Sequence, residues 1–323
     1  MLSRVEVPDR SLRGVGSGTS DTSWSRCVND GGCSPGTIGR RDHILVDVDI
    51  SSVELSSGFR LPLVGLGTYD MLGMPCVDAV SDALRSGYRL LDTASRYSNE
   101  LSVGMGLRES GVARDEVAVQ TKLGGGDQGF DEAINAAKES ARRLGVAHID
   151  IYLIHWPCPS LGRTVDSWKA LLTLADEGFI TVPGVSNFKA HQLQMLYDET
   201  GVWPQVNQIQ CSPALARDEL REFMSERGIV AQAWHPTGRK EGMLGDAVII
   251  RLARKYGKSP TQIALRWSVQ QGISVVPKSS HRGRQLENAD LFDFSFDAAD
   301  LAELATLDRG EKAARDSDVE EEF

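Results

Sequence analysis

A chain of 323 residues, 41% hydrophobic and 25% charged, has the composition of a globular protein and room for one barrel-sized domain of roughly 250 residues plus extensions. Its net charge of -10 excludes a nucleic-acid or anionic-membrane surface spread over the whole chain, so an anionic ligand must find a local basic pocket. No apolar run approaches the roughly 18 residues of a membrane span, and no signal-peptide core follows Arg4, which makes the cytosol the expected compartment.

Residues 1–42 are rich in Gly, Ser, Asp and Arg without periodicity, as in Gly14-Val-Gly-Ser-Gly18. Such a segment buries too little apolar surface to offset its ordering entropy and is read as a disordered extension, leaving 43–323 as the folded domain. The five cysteines, Cys27, Cys33, Cys76, Cys158 and Cys211, are irregularly spaced and lack C-x-x-C, which argues against a disulfide framework or a zinc cluster. Cys27 and Cys33 are the one close pair, and they fall in that extension.

From Ile44 the pattern changes: Val46, Val48 and Ile50 alternate, and Val53-Glu-Leu55, Ser56-Ser-Gly58 and Phe59-Arg-Leu-Pro62 read as a hairpin able to close one end of a barrel. Strand candidates then begin at Leu63, Tyr88, Val117, Ile149, Val182, Gln205, Ile229 and Ile273, each followed by a helical segment. One helix is predicted from an acidic cap at Asp131, with Ile134, Ala137, Ala141 and Leu144 on one face, stopping at Gly145. Another runs from Ser167-Trp168 to Gly178, with Trp168, Leu171, Leu172 and Ala175 inward. A third starts at Ser259-Pro260-Thr-Gln262, a cap, a first-turn proline and a capping-box glutamine, and ends at Gly272. Eight βα units predict a closed parallel (β/α)8 TIM barrel. An open doubly wound sheet is the alternative, but no strand is followed by G-x-G-x-x-G, and Gly124-Gly-Gly126 reads as a flexible loop.

In such a barrel the C-terminal ends of strands two, three and four bring together Asp92, Tyr97, Lys122 and His155. A phenol of pKa near 10 is a slow proton donor at neutral pH. An ammonium beside it favours phenolate and lowers that value, and a carboxylate holds the ammonium. Lys122 and Asp92 suit those parts for Tyr97, and His155 suits orienting a substrate oxygen. Singly, Asp92 could be a helix cap, Tyr97 a packing residue, Lys122 a solvated strand end and His155 a core histidine. Together they suit protonation of a carbonyl oxygen while its carbon receives hydride.

Gly65-Leu-Gly-Thr68, Asp92-Thr-Ala-Ser-Arg-Tyr-Ser-Asn-Glu100, Thr121-Lys122, Leu153-Ile-His-Trp-Pro157, Gly184-Val-Ser-Asn-Phe188, Val206-Asn-Gln208 and Pro277-Lys-Ser279 through Arg284 to Asn288 resemble the aldo-keto reductases in order and combination. Leu-Ile-His-Trp-Pro157, Trp234 and the acidic C-terminus resemble the bacterial diketogluconate-reductase type in particular. The resemblance covers about residues 53–310. It implies NADPH-dependent reduction of aldehydes or ketones, with Tyr97 as general acid supported by Asp92, Lys122 and His155; separately, a cytoplasmic monomer is expected. It further implies a cofactor site at Gly67 and Thr68, with Ser186, Asn187 and Gln208 on the nicotinamide carboxamide and Trp234 stacked on the ring. Lys278, Ser279 and Arg284 would grip the 2′-phosphate, with Glu287 and Asn288 near adenine. The basic run Lys278-Ser-Ser-His-Arg-Gly-Arg284 before a helix independently reads as an anion site. Tyr69, Trp156 and Phe323 are candidates for the substrate pocket, with core or surface packing as the alternative.

The chain departs from the family at Ile-Gln-Cys-Ser-Pro213, at His235-Pro-Thr-Gly238 where Ser-Pro-Leu is usual, and at Tyr69, often Trp. His235, Arg239 and Lys240 could substitute as cations on the pyrophosphate. Arg96 beside Tyr97 either favours acidic or phosphorylated substrates or points to solvent. Two other functions compete: a nucleotide-sensing regulatory subunit with little turnover, and a metal-dependent barrel hydrolase or isomerase. No H-x-H or H-E-x-x-H spacing supports the second, so no metal is expected.

Overall fold

A computed structural model of the protein describes residues 50–238 and 242–322. The extension assigned to residues 1–42, the alternation at Val46 and Val48, Cys27, Cys33, Arg239, Lys240 and Phe323 lie outside the described residues.

The hairpin forms from β1 (Ser52–Glu54) and β2 (Arg60–Pro62), paired antiparallel. Its turn closes through Gly58, whose φ of 83° is left-handed and suits glycine. Strands and helices then alternate: β3 (Leu66–Gly67), α1 (Gly73–Arg85), β4 (Leu90–Asp92), α2 (Glu100–Ser110), β5 (Ala118–Leu123), α3 (Phe130–Leu144), β6 (Ile149–Ile154) and α4 (Thr164–Asp176). They continue as β7 (Ile180–Ser186), α5 (Ala190–Thr200), β8 (Val206–Gln210), α6 (Asp218–Ser225), β9 (Val230–Trp234), α7 (Ala247–Tyr256) and α8 (Pro260–Gln270). The series ends with β10 (Ser274–Val275), α9 (Arg282–Ala289) and α10 (Ala298–Ala305).

β3 to β10 form one parallel sheet in sequence order. Parallel bridges Val64↔Val275 and Gly67↔Lys278 join its two edges, so the barrel closes as predicted. That seam demands glycine: a Cβ on Gly67 would lie 2.4 Å from the Val276 carbonyl oxygen. Inside the bottom of the barrel Leu90, Ile151, Leu153, Val182 and Val206 pack with Leu55 and Leu61, so the hairpin plugs that end. A larger apolar shell lies between strands and helices, and in it Trp168, Ala137 and Leu144 are fully buried.

Some boundaries differ from expectation. The helix expected from Asp131 begins at Phe130, capped by Gly129, so Asp131 stands in the first turn, where a carboxylate complements the helix dipole. The helix expected from Ser167 begins at Thr164, and the Ser167 hydroxyl instead accepts the Gly129 N–H at 2.9 Å and donates to the Arg163 carbonyl. Ser259 caps α8 with the expected capping box. Gly124-Gly-Gly126 is not a loose loop: residues 125–127 form a 3₁₀ turn, and a Cβ on Gly125 would meet the Glu322 carbonyl oxygen at 2.4 Å. No described helix is long and apolar enough to cross a membrane.

Candidate active site

Strand register sets the site. Asp92 pairs with Gln120 across β4 and β5, and Ser186, Gln208, Gln232 and Ser274 stand level across β7 to β10. The result is a buried polar layer above the apolar plug. Asp92 Oδ1 accepts from Lys122 Nζ at 2.5 Å, Gln120 Nε2 at 2.6 Å and Gln208 Nε2 at 2.9 Å. Both glutamine amides also donate to Gln232 Oε1, at 2.7 and 2.6 Å, and Gln232 Nε2 reaches Ser274 Oγ at 3.4 Å. Lys122 Nζ makes a second bond to the Thr93 carbonyl at 2.8 Å and is wholly enclosed.

Above this layer lies a cavity of about 480 Å³. Tyr97, His155, Trp156 and Tyr69 line its inner end, with Asp92 below them. The Tyr97 ring meets Tyr69 and His155 edge-on at 5.2 and 5.7 Å between centroids, and Lys122 Nζ is 5.1 Å from its centre. The four predicted residues therefore converge, although Lys122 stands behind the wall and does not line the cavity.

The protonation states depart from the sequence reading. Burial pushes the Tyr97 phenol well above its ordinary range, and the Asp92 and Glu322 carboxylates push it further. The net shift is opposite to the lowering expected from Lys122, whose ammonium also faces the Asp92 carboxylate. Burial also lowers the Lys122 amine, opposed by Asp92. His155 is held well below the usual imidazole range by burial and then by the Lys122, Arg96 and Arg315 cations, so the ring is neutral. Its Nδ1 is buried without a hydrogen-bond partner among the described residues.

Along the wall, Ser186 Oγ donates to the Gln208 carbonyl at 2.9 Å, and Asn187 Nδ2 donates to the His155 carbonyl at 3.1 Å. Asn187 takes a left-handed φ of 65°, which asparagine tolerates, and its Oδ1 accepts from Trp234 Nε1 at 2.8 Å. Asn187 thus fixes the indole over the cavity. His235, also left-handed, packs edge-on against Trp234 at 4.7 Å and lines the cavity with Pro236 and Thr237.

The outer end is walled by Lys278 and Ser279, which precede α9, and by Arg284 in its first turn and Asn288 in its last. Lys278 and Arg284 are exposed, and neither enters an ion pair among the described residues. Two predicted residues turn elsewhere. Thr68 is buried and donates to the Asp92 carbonyl at 2.9 Å, while Glu287 accepts from the Ser259 hydroxyl that caps α8. Arg96 is exposed and does not line the cavity; the guanidinium that does is Arg315, with Glu322 beside it. The sequence reading missed Arg315, Gln120 and Gln232. The two glutamines had one available signal, a polar side chain directly after apolar strand residues, Ala118-Val119 and Val230-Ala231.

This donor set fits a long anionic ligand with an amide at one end: exposed cations outside, amide and hydroxyl groups flanked by an indole inside. It fits NADPH.

The aldo/keto reductase family model matches residues 75–309. The chain is 42% identical over 275 residues to 2,5-diketo-D-gluconic acid reductase B of Corynebacterium sp., covering 85% of this chain and 99% of that protein. It is 37% identical over 268 residues to glyoxal reductase of Bacillus subtilis, covering 83% and 96%. Among solved structures, a mutant of Gox0644 in complex with NADPH superposes with a TM-score of 0.80 at 36% identity, covering 84% of this chain and 99% of that one. With the matched residues spanning most of the barrel and its site, the chain belongs to the aldo/keto reductase family.

Proposed function

We propose that the protein is an NADPH-dependent carbonyl reductase in which Tyr97 donates the proton to the oxygen of an aldehyde or ketone. The observation that carries this reading is the cavity itself, with a protonated phenol and a neutral imidazole at one end and the exposed Lys278 and Arg284 cations at the other. When bound, NADPH supplies the hydride that the carbonyl carbon accepts. Ser186, Asn187 and Gln208 would hold its carboxamide, Trp234 would cover the ring, and Lys278, Ser279 and Arg284 would take the 2′-phosphate, with Asn288 nearby. Gly67 closes the floor between them.

The chain's own part is proton handling and exclusion of water. Tyr97 stays protonated in the free site, so the acid form is in place before substrate arrives. The developing alkoxide, a much stronger base than a carbonyl oxygen, then takes the phenolic proton, and the Lys122 ammonium behind the ring stabilises the phenolate left behind. Neutral His155 presents a hydrogen-bonding edge to the substrate oxygen without competing as a proton source. The proposed working form is a cytosolic monomer.

The test is Tyr97→Phe. NADPH binding, followed by quenching of protein fluorescence, is expected to persist, while NADPH oxidation with methylglyoxal and simple aldehydes drops by about a hundredfold or more. Near-normal turnover in that variant would overturn the assignment.

A further inference from the structure

The C-terminal segment contributes Arg315 and Glu322 to the cavity wall. Arg315 is fixed independently of Glu322. Its backbone N–H donates to Gln210 Oε1 at 3.2 Å at the end of β8, its guanidinium lies 4.5 Å from the Trp156 ring centre, and its Nε donates to Glu320 Oε2 at 2.5 Å. The segment around it is strapped down by Lys189 to Asp316 and Asp318, and by Glu321 to the Ser160 N–H at 2.7 Å. Glu322 is held differently. The bond its carboxylate makes is to Arg315 Nη1, at 2.7 Å, and its side chain is about a third exposed, at 31%.

A guanidinium has five donors in a rigid fork that matches a carboxylate, and these contacts engage two of them. It is weakly hydrated and here rests on an aromatic face at the end of the cavity where Tyr97 and His155 are both neutral. A pair as exposed as Arg315–Glu322 contributes little to stability, so a ligand carboxylate can displace Glu322 at small cost. We propose that Arg315 is the binding site for a carboxylate carried by the substrate, with Glu322 occupying it in the free protein, so that the enzyme prefers carbonyl compounds that also bear a carboxylate. This rests on the reductase reading of the same cavity.

The test pairs succinic and glutaric semialdehydes with butanal and pentanal, which differ in replacing the carboxylate by a methyl group. The wild-type protein is expected to show a higher kcat/KM for at least one semialdehyde than for its uncharged counterpart, through a lower KM. In Arg315→Met the ratio of charged to uncharged kcat/KM should fall by about tenfold or more, and in Glu322→Gln it should rise. Succinate should perturb tryptophan fluorescence in the wild-type protein and not in Arg315→Met, a readout that needs no turnover. Preference for the uncharged aldehydes, or an unchanged ratio in Arg315→Met, would overturn the inference while leaving the reductase reading intact. Failure to reduce any of the four aldehydes, with succinate binding retained, would instead count against the reductase reading.

Discussion

Lys122 Nζ and Asp92 Oδ1 lie 2.5 Å apart, and both side chains are almost wholly buried. The lysine comes from β5 and the aspartate from β4, neighbouring strands whose register sets Asp92 level with Gln120, two residues before Lys122. Three donors converge on that one oxygen, so the carboxylate is compensated by amides as well as by the ammonium.

Breaking this pair leaves a charge in a dry site. Lys122→Met is expected to cost about 3–5 kcal/mol of unfolding free energy, measured by urea titration. Replacing both partners, as Lys122→Met with Asp92→Leu, should cost less than Lys122→Met alone, because no uncompensated charge remains. A double variant less stable than the single one would show that the pair is not the dominant interaction there.

His155 gives stability a pH dependence of definite sign. Its folded pKa lies well below the ordinary 6.5, so as pH falls through that value the unfolded chain takes up a proton that the folded protein does not. The contribution is complete above pH 6.5 and is lost on acidification toward the folded pKa, by about 1.4 kcal/mol per pH unit. His155→Asn should therefore show a shallower loss of unfolding free energy than the wild-type protein between pH 6.5 and the onset of acid unfolding. Parallel curves would mean that His155 protonates freely in the folded state.

Arg284 should discriminate between cofactors. It is exposed at the outer end of the cavity and makes no ion pair among the described residues, so replacing it removes little from the fold. Arg284→Ala is expected to weaken NADPH binding by about tenfold or more and NADH binding by far less. Equal losses, read by fluorescence titration, would show that the guanidinium does not meet the 2′-phosphate.

The barrel seam is predicted to be intolerant. Gly67→Ala would press a methyl group to 2.4 Å from the Val276 carbonyl oxygen, in backbone that cannot swing aside. A loss of about 2 kcal/mol or more in unfolding free energy is expected, against a few tenths for a surface change such as Ser57→Ala. Equal stability of Gly67→Ala and the wild-type protein would contradict the closed seam.

The strands, their order and the positions of Asp92, Tyr97, Lys122 and His155 were legible because they depend on local pattern: runs of apolar residues bounded by helix caps, then a polar residue at the strand end. Ser259 shows the same thing, since its cap, proline and capping box are all encoded within four residues. Helix starts were less legible. Thr164 precedes the expected start at Ser167 because its hydroxyl meets the Pro157 carbonyl, and a chain-distant partner has no local signature.

What the sequence could not determine was which polar groups face one another across the closed barrel. Gln120 and Gln232 are 112 residues apart, yet they meet over Asp92 because closure of the sheet fixes every register at once and a period-two strand can turn only alternate residues inward. The protonation of Tyr97 was decided the same way, since enclosure and the Asp92 and Glu322 carboxylates outweigh the ammonium that sequence placed beside it. Arg96 and Arg315 show the division most plainly: adjacency to Tyr97 in sequence singled out the first, while the return of the C-terminal segment over the barrel mouth put the second into the cavity. Local pattern determined the elements and the reacting groups; long-range closure decided their neighbours, because burial and Coulomb interactions depend on distance in space and not along the chain.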